Sequence, residues 1–415
     1  MRDVSSSWLR GKLGDFITLQ RGFDLPEYER QFGTVPVVTS AGISGTHAEA
    51  KVRGPGVVMG RYGTIGQIYY INQDYWPHNT SLYIKDFKGN HPKFFYYFLK
   101  TVNYESHNDK SSVPGLNRNH LHLVEITVPA PEEQRAIARI LGALDDKIEL
   151  NRRQNAILEA LARAIFQSWF VDFDPVHAKA AGRAPAAMDA ATAALFPAAF
   201  EVRDGREVPR GWRVKSIGDV TRVVGGSTPS TQEPAFWEGG MHHWATPKDL
   251  SSLATIPLLD TERCITDAGL SQIGSGLLPP GTVLLSSRAP IGYTVIAEIS
   301  VAINQGFIAM ICDRGLPNHY VLWWTRANLD EIKGRANGTT FLEISKSNFR
   351  PMLVTVPSAS ILDAFVEVME PLYQKVRANL LQTRTLATLR DMLLPRLLSG
   401  ELRVRAAAAL VEGAL

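Results

Sequence analysis

Residues 132–170 read EEQRAIARILGALDDKIELNRRQNAILEALARAIFQSWF, and this stretch decides the fold. Its core positions recur at alternating spacings of four and three residues, which is the narrow stripe of a coiled coil. Pro131 and two acidic residues stand at its start, where proline fits the first turn and the helix dipole favours acids. We therefore predict one long helix over 132–170. Its stripe consists of Ile137, Leu141, Leu144, Ile148, Asn151, Asn155, Leu158, Ala162, Ile165 and Trp169.

The same stripe recurs 228 residues later in the chain. A possible capping box at 360–363 and a glycine stop at Gly400 predict a second helix over 358–400. Pro371 falls inside this helix, and we expect a kink or a late start there because proline lacks the N–H that the helix needs. The second stripe consists of Phe365, Met369, Leu372, Val376, Asn379, Thr383, Leu386, Arg390, Leu393 and Leu397.

Matching polar positions predict how the two helices pair. Asn151 and Asn155 interrupt the first stripe where Asn379 and Thr383 interrupt the second. These polar residues can be buried together only if the helices are antiparallel and cross near their centres. The other interpretation is two amphipathic helices that each pack on a separate domain, but the long heptad stripes favour pairing. The predicted helix-pairing residues are Leu144, Ile148, Asn151, Leu158, Leu372, Val376, Asn379 and Leu386.

Shorter matches indicate that the rest of the chain is also duplicated. A W-x5-G-D opening occurs at Trp8 and again 204 residues later at Trp212. The segment 126–134 (ITVPAPEEQ) matches 354–362 (VTVPSASIL) at an offset of 228. Between these matches, short runs rich in Val, Ile and Tyr are broken by Gly and Pro, which predicts β-rich structure with irregular loops.

The predicted fold class is therefore α+β, with a pseudo-two-fold internal repeat. Two β-rich domains are separated by two long helices that form an antiparallel coiled coil. The Ala- and Pro-rich connector should hold one short helix near 188–195, and the residues after Arg405 should fray. The predicted divisions are a first domain at 1–131, a first helix at 132–170, a connector at 171–205, a second domain at 206–357, a second helix at 358–400 and a tail at 401–415.

Composition and missing motifs exclude several classes of protein. Of the 415 residues, 45% are hydrophobic and 20% charged, which is typical of a globular chain. No apolar run approaches the roughly 20 residues of a membrane span, and we expect a cytoplasmic protein. Two cysteines cannot form a disulfide framework or a zinc cluster. The net charge is only +3, so if the chain binds nucleic acid, its positive charge has to be concentrated locally.

No catalytic or metal-ligating residue is predicted. The chain lacks a P-loop pattern, so ATP hydrolysis is not expected. The histidines at 120–122 and 242–243 have no Cys or carboxylate partners at ligand spacing, which favours solvated or packed side chains. The carboxylates of the first long helix are balanced by basic residues, as on a solvated face.

The candidate binding residues lie in polar, Gly-containing turns that recur in both copies. Backbone amides, Ser, Thr and Lys in such turns hold phosphates, whereas Arg and Asn can pair with guanine and adenine. Ordinary polar surface loops are the other interpretation, and recurrence in both copies disfavours it. The predicted DNA-binding residues are Arg61, Tyr62, Lys110, Asn117 and Arg118 in the first copy and Arg288, Lys333, Arg335, Asn337 and Lys346 in the second.

Over nearly its whole length, the chain resembles the specificity subunit of a type I restriction-modification system. The most specific parts are the repeated helical endings, at 128–176 and 356–402, and the repeated W-x5-G-D opening. The resemblance implies two target-recognition domains, each reading one half of a split, asymmetric site in double-stranded DNA. It also implies that this chain is not an enzyme and binds no cofactor.

The resemblance further implies a set of partners. In this family the specificity subunit joins two copies of a modification subunit, which methylates adenine with S-adenosylmethionine, and restriction or translocase subunits can join as well. A helix of 39 residues is about 58 Å long, and DNA rises about 3.4 Å per base pair. Helix length is therefore expected to set the gap between the two half-sites.

Other functional classes stay open from the sequence. One is a stand-alone bipartite DNA-binding protein or repressor with no enzyme partner. Another is a self-sufficient nuclease or methyltransferase, which the missing catalytic motifs disfavour. A third is a coiled-coil scaffold, which would not need two large β-rich domains.

Overall fold

The computed structural model of the protein describes residues 8–104, 115–203, 205–253, 255–338 and 342–414. The chain forms two compact units. Unit 1 combines Met1–Glu149 with Gln382–Leu415, and unit 2 is the continuous segment Leu150–Leu381. Each long helix therefore contributes one half to each unit.

Short strands and helices make up the first copy of the repeat, which lies in unit 1. Its strands are β1 (Leu9–Lys12), β2 (Thr18–Arg21), β3 (Val35–Thr39), β4 (Gly42–His47), β5 (Gly56–Gly60), β6 (Ile68–Ile71), β7 (Trp76–Pro77), β8 (Ser81–Asp86) and β9 (Glu125–Val128). Its helices are α1 (Leu13–Phe16), α2 (Pro92–Leu99) and α3 (Arg118–His122).

The second copy lies in unit 2 and follows the first long helix, α4 (Pro131–Phe170), and a connector. Its helices, with those of the connector and the C-terminal part, are α5 (Asp174–Ala180), α6 (Ala190–Leu195), α7 (Ile217–Val220), α8 (Pro247–Ser251), α9 (Asp267–Leu270), α10 (Asn318–Ala327), α11 (Leu329–Gly334), α12 (Lys346–Phe349), α13 (Ala359–Leu398) and α14 (Val404–Glu412). Its strands are β10 (Phe200–Arg203), β11 (Arg206–Pro209), β12 (Arg213–Ser216), β13 (Arg222–Val224), β14 (His242–Ala245), β15 (Pro257–Leu258), β16 (Arg263–Ile265), β17 (Val283–Ser286), β18 (Thr294–Ala297), β19 (Val301–Ile303), β20 (Phe307–Ile311) and β21 (Leu353–Val356).

The two copies share one sheet topology. In unit 1 the strand orders are β2-β8-β5-β6 and β4-β3-β7, and in unit 2 they are β13-β20-β17-β18-β15 and β16-β14-β19. The three-stranded sheets each contain one parallel pair, β3–β7 and β14–β19. Unit 2 adds β15 at the edge of its larger sheet and a separate β10–β11 hairpin. The predicted internal repeat is therefore confirmed at the level of strand order.

The opening and the end of each copy pair with each other in the same register. Leu9 pairs with Val128, and Arg213 pairs with Val356, which are the positions 204 and 228 residues further on. A close glycine contact is also repeated. A Cβ on Gly22 would lie 2.2 Å from the His78 carbonyl oxygen, and one on Gly226 would lie 1.8 Å from that of Ile303. Only glycine allows the backbone to approach so closely at these positions.

In unit 1 the start of α4 packs against the end of α13. Leu144 and Ile148 share one hydrophobic core with Leu386, together with Leu393 and Leu397 near the end of α13. Because early residues of one helix meet late residues of the other, the two helices run antiparallel in this unit.

In unit 2 the end of α4 packs against the start of α13, again antiparallel. Leu158, Leu372 and Val376 line one small cavity between the two helices. The buried polar residues of the two stripes meet here: Asn379 Nδ2 donates to Asn155 Oδ1 at 2.9 Å, and Asn151 Nδ2 to the Asn379 carbonyl oxygen at 3.4 Å. A buried polar contact of this kind specifies the register of a helix pair.

Three local expectations differ from the structure. Of the kink or late start predicted at Pro371, the late start is wrong, because the second long helix starts at Ala359 and continues through Pro371, and the kink stays a prediction. Pro371 is exposed, and the carbonyl that lacks its N–H partner can therefore be hydrated. The tail is a helix, α14, rather than frayed chain, because its Ala407 and Val411 are buried in the core of unit 1. The connector holds α5 besides the expected short helix, with Pro175 in its first turn, where proline is favourable.

Candidate nucleic-acid interface

In the first copy, the turn after β5 presents an arginine stacked on a tyrosine. The Arg61 guanidinium carbon lies 4.4 Å from the centroid of the Tyr62 ring. The backbone behind them is tied down, since Leu116 N donates to the Arg61 carbonyl oxygen at 3.1 Å and Tyr62 pairs with Gly115. The Tyr62 ring covers Gly115 so closely that a Cβ there would lie 2.4 Å from ring atom Cε1.

The next residues place two further predicted side chains beside this turn. Asn117 caps α3, and its side-chain oxygen accepts a hydrogen bond from Asn119 N at 2.9 Å. Arg118 is the first residue of that helix and is exposed. The fifth predicted residue of this copy, Lys110, lies outside the described residues. The structure thus brings Arg61, Tyr62, Asn117 and Arg118 together.

Sequence reasoning missed a hydroxyl network behind the turn. Thr64 Oγ1 donates to the carbonyl oxygen of Ser40 in the β3–β4 hairpin. Ser40 N donates to Thr80 Oγ1 at 3.3 Å, and Arg61 N donates to the Thr80 carbonyl oxygen at 3.1 Å. These residues come from three separate segments, so no motif or spacing could have connected them.

In the second copy, the equivalent turn presents an ion pair. Ile344 N donates to the Ser287 carbonyl oxygen at 3.0 Å, just as Leu116 N does to Arg61. Arg288 pairs with Glu343 across this bridge, and its Nη1 lies 3.6 Å from Glu343 Oε2. Sequence reasoning selected Arg288 but missed Glu343, which follows a polar loop and has no recognisable motif around it.

The other predicted residues of the second copy lie in the segments that flank Glu343. The Asn337 backbone pairs with that of Glu343, with N···O distances of 3.0 and 2.9 Å. Arg335 forms an ion pair with Glu331 at 2.8 Å, and its carbonyl oxygen accepts from Asn348 Nδ2. Lys346 is exposed at the start of α12, the position equivalent to Arg118.

Lys333 is exposed in α11, two residues before Arg335. The structure thus places Asn337 against the Arg288–Glu343 bridge through backbone contacts, and Arg335 and Lys346 lie in the segments that flank it. Lys333 lies on the helix that leads into Arg335.

Two basic side chains, Arg118 and Lys88, act on His122 at the end of α3. Burial lowers the pKa of the His122 imidazole, and the charges of Arg118 and Lys88 lower it further. Because His122 Nε2 accepts a hydrogen bond from Leu19 N at 2.9 Å, the neutral ring is the form that fits. Arg350 occupies the equivalent position in the second copy and donates to the Val223 carbonyl oxygen at 2.8 Å.

Each turn can therefore offer cationic, amide and hydroxyl groups to an extended anionic ligand. Such groups fix a phosphate backbone, and Arg and Asn also read base edges. Within the described ranges, no set of three His, Cys, Asp or Glu side chains is arranged to hold a metal ion. None of the helices in the described part of the chain combines the length and the apolar character that a membrane span requires.

Comparison with known proteins identifies relatives along most of the chain. The specificity subunit of the type I restriction enzyme MjaIX from Methanocaldococcus jannaschii is 28% identical over 326 residues, covering 75% of this chain and 69% of that protein. The specificity subunit of HindI from Haemophilus influenzae is 28% identical over 330 residues, covering 70% and 71%.

A solved structure shows the same fold. The crystal structure of a type I restriction-modification system S subunit from M. genitalium matches with a TM-score of 0.61 at 15% sequence identity. The match covers 96% of this chain and 98% of that one.

The sequence profile of one family matches both copies of the repeat. The family is described as type I restriction modification DNA specificity domain, and it matches residues 5–160 and 209–384. These two ranges contain both of the turns described above and most of both long helices. With the repeated topology and the antiparallel helices, they establish that the chain belongs to the type I restriction-modification DNA specificity family.

Proposed function

We propose that the protein is the DNA recognition subunit of a type I restriction-modification complex and reads a split, asymmetric site. One observation carries the proposal: two domains of equal topology present equivalent exposed turns with different side chains. The first turn offers Arg61 on Tyr62, and the second offers Arg288 beside Glu343. Readers that share a fold but differ in chemistry suit two half-sites of different sequence.

The partners follow from this role. We propose that two copies of a DNA adenine methyltransferase subunit bind to this chain and carry S-adenosylmethionine, and that restriction or translocase subunits can join them in the cytoplasm. A base has to leave the duplex before it can be methylated, so the pocket for the flipped base belongs to the methyltransferase. This chain then selects the site and positions the enzyme on it.

We further propose that helix length sets the gap between the half-sites. Support comes from α4 and α13, which are each 40 residues long without interruption and share a heptad stripe. Inserting one heptad, of about 10 Å of helix, into both helices should lengthen the recognised gap by about three base pairs. An unchanged gap in an assembled, stable variant would contradict this part of the proposal.

Mapping methylation across the genome of cells that carry this chain and its methyltransferase partner tests the whole proposal. The expected result is a bipartite motif with two unlike halves, absent from cells that express the partner alone. Specific DNA binding by this chain without any partner-dependent methylation would instead favour a stand-alone repressor.

A further inference from the structure

Two residue pairs are equivalent in the two copies because the same backbone contacts recur around them. Tyr62 bridges to Gly115, and Arg288 bridges to Glu343, each as an isolated antiparallel pair. In both copies the following residue donates its N–H to the carbonyl just before the bridge, from Leu116 to Arg61 at 3.1 Å and from Ile344 to Ser287 at 3.0 Å. These backbone contacts are therefore repeated in both copies, whereas the side chains at the bridged positions differ.

The equivalent positions 115 and 343 carry different side chains, a covered glycine in the first copy and a glutamate in the second. At position 115 the Tyr62 ring leaves no space for a side chain, because a Cβ would lie 2.4 Å from the ring. At position 343 a carboxylate extends instead toward Arg288, with 3.6 Å between Nη1 and Oε2. Both groups stay accessible, since 36% of the Arg288 side chain and 44% of the Glu343 side chain are exposed.

The carboxylate is not needed to hold the turn together. The Glu343 backbone pairs with that of Asn337 through two hydrogen bonds, and these would persist with any side chain. An exposed ion pair contributes at most about 1 kcal/mol to folding. A carboxylate on a surface that faces DNA is also repelled by phosphates, and a base that offers it a hydrogen-bond donor would offset this repulsion.

We propose that Arg288 and Glu343 together read one G·C base pair in the second half-site. Arg288 donates to guanine O6 and N7, and Glu343 accepts from the amino group of the cytosine paired with that guanine, both in the major groove. Guanine and cytosine present this order of two acceptors followed by a donor, whereas adenine places a donor directly beside its N7. The proposal rests on the proposed function and names the residues that give its second reader a preference.

The test uses the full chain assembled with its methyltransferase subunit and a pool of duplexes with randomised half-sites. Bound duplexes are selected and sequenced for the wild type and for Arg288→Ala, Glu343→Ala and Glu343→Gln. Asp313→Ala is the matched control, because Asp313 lies in the same copy, is 43% exposed and pairs with Arg222 at 3.1 Å. Thermal unfolding of each complex shows whether it is intact, and Glu343→Gln keeps the side-chain shape if the alanine variant does not assemble.

The wild type should require G·C at one position of the second half-site. Arg288→Ala and Glu343→Ala should each reduce that preference about 5- to 140-fold, from 1–3 kcal/mol per base contact at 1.4 kcal/mol for each factor of ten. Both should act on the same position and leave the first half-site unchanged, and Asp313→Ala should alter neither half-site. A structural role would weaken binding to all duplexes without changing the preference at one position.

Several outcomes would overturn the inference. They are an A·T pair or no preference at the affected position, effects of the two variants on different positions, an effect on the first half-site, or no effect at all. If the wild-type complex selects no motif, the proposed function itself fails, and this result is distinct because it does not depend on any variant.

Discussion

At three equivalent positions, the long helices carry aromatic side chains in unit 2 and aliphatic side chains in unit 1. In unit 2, Phe365 of α13 lies against Phe170 and Phe166 of α4, with ring centroids 4.9 and 6.0 Å apart. The positions 228 residues away in the repeat are Ile137, Leu398 and Leu394, which pack in the core of unit 1. The repeat therefore preserves which positions are apolar and leaves their shape free. A core accepts such exchanges when its total volume is filled.

Truncating a buried core residue of the helix pair, Phe365 in unit 2 or Ile137 in unit 1, should give the largest loss of stability. Phe365→Ala should lower the free energy of unfolding by about 3–5 kcal/mol, and Ile137→Ala by about 2–5 kcal/mol, because each leaves a cavity among buried neighbours. Hydrogen exchange measured segment by segment should show reduced protection in unit 2 for Phe365→Ala and in unit 1 for Ile137→Ala. The exchange Phe365→Ile, which installs the residue of the other copy, should cost less than alanine. An equal cost would mean that aromatic shape at this position is specified.

Both units contain a cluster of a tyrosine, a carboxylate and an arginine. The carboxylate belongs to a long helix in unit 1 and to the β-rich domain in unit 2. In unit 1 the carboxylate of Asp145 on α4 lies 2.6 Å from Tyr97 Oη and 2.8 Å from Arg390 Nη1. In unit 2 the carboxylate comes from Glu298, between β18 and β19. It accepts from Tyr373 Oη at 2.7 Å, and Arg377 Nε lies 2.8 Å away.

Removing the carboxylate should therefore destabilise both units by similar amounts. Asp145→Ala and Glu298→Ala should each cost about 1–3 kcal/mol, because in each cluster the tyrosine hydroxyl loses its acceptor and the guanidinium loses one carboxylate partner. Calorimetric unfolding measures the loss, and Tyr97→Phe and Tyr373→Phe, which remove only the hydroxyls, serve as milder controls. If removing one carboxylate leaves the stability unchanged, that cluster does not help to hold its domain against the long helices.

The smallest expected effect depends on pH and concerns unit 2. Burial would raise the pKa of Glu370, but hydrogen bonds from His319 and Gln374 outweigh it and hold the pKa below its ordinary value. A depressed carboxyl pKa adds stability above the unfolded-state value, and this stability is lost as the pH falls through the folded-state value.

Glu370→Gln should therefore destabilise the protein near neutral pH and make no difference in acid. The effect should stay below about 1 kcal/mol because nearly half of the side chain is exposed to screening solvent. Denaturant unfolding between about pH 6 and pH 3 measures it. A difference that grows on acidification would contradict the assigned sign.

The long-range plan of the molecule could be predicted from the sequence because it rests on periodicity. The heptad stripes and the paired asparagines specify two long helices and their antiparallel contact, and the repeated openings predict two equivalent domains. Pro371 misled the prediction because sequence alone does not show that the proline faces solvent. The tail misled it because alanines give no sign of the core into which Ala407 packs.

The geometry of the two turns could be predicted only in part. Arg61 and Arg288 were selected because Gly-containing turns recur at matching positions, and their role in binding DNA stays a prediction. The equivalence of Gly115 and Glu343 was missed because it appears only when Leu116 and Ile344 are seen to make the same backbone hydrogen bond. Ser40, Thr64 and Thr80 come together by strand pairing between distant segments, which no local pattern encodes.

The composition of unit 1 from both ends of the chain has a consequence for biosynthesis. Unit 2 is one uninterrupted segment and can fold as soon as it has left the ribosome. The core of unit 1 needs Leu386 and Leu393 of α13 and Val411 of α14, which are translated after the whole of unit 2. The domain made first is therefore completed last, and until then the nascent protein has to shield its exposed apolar surface from aggregation.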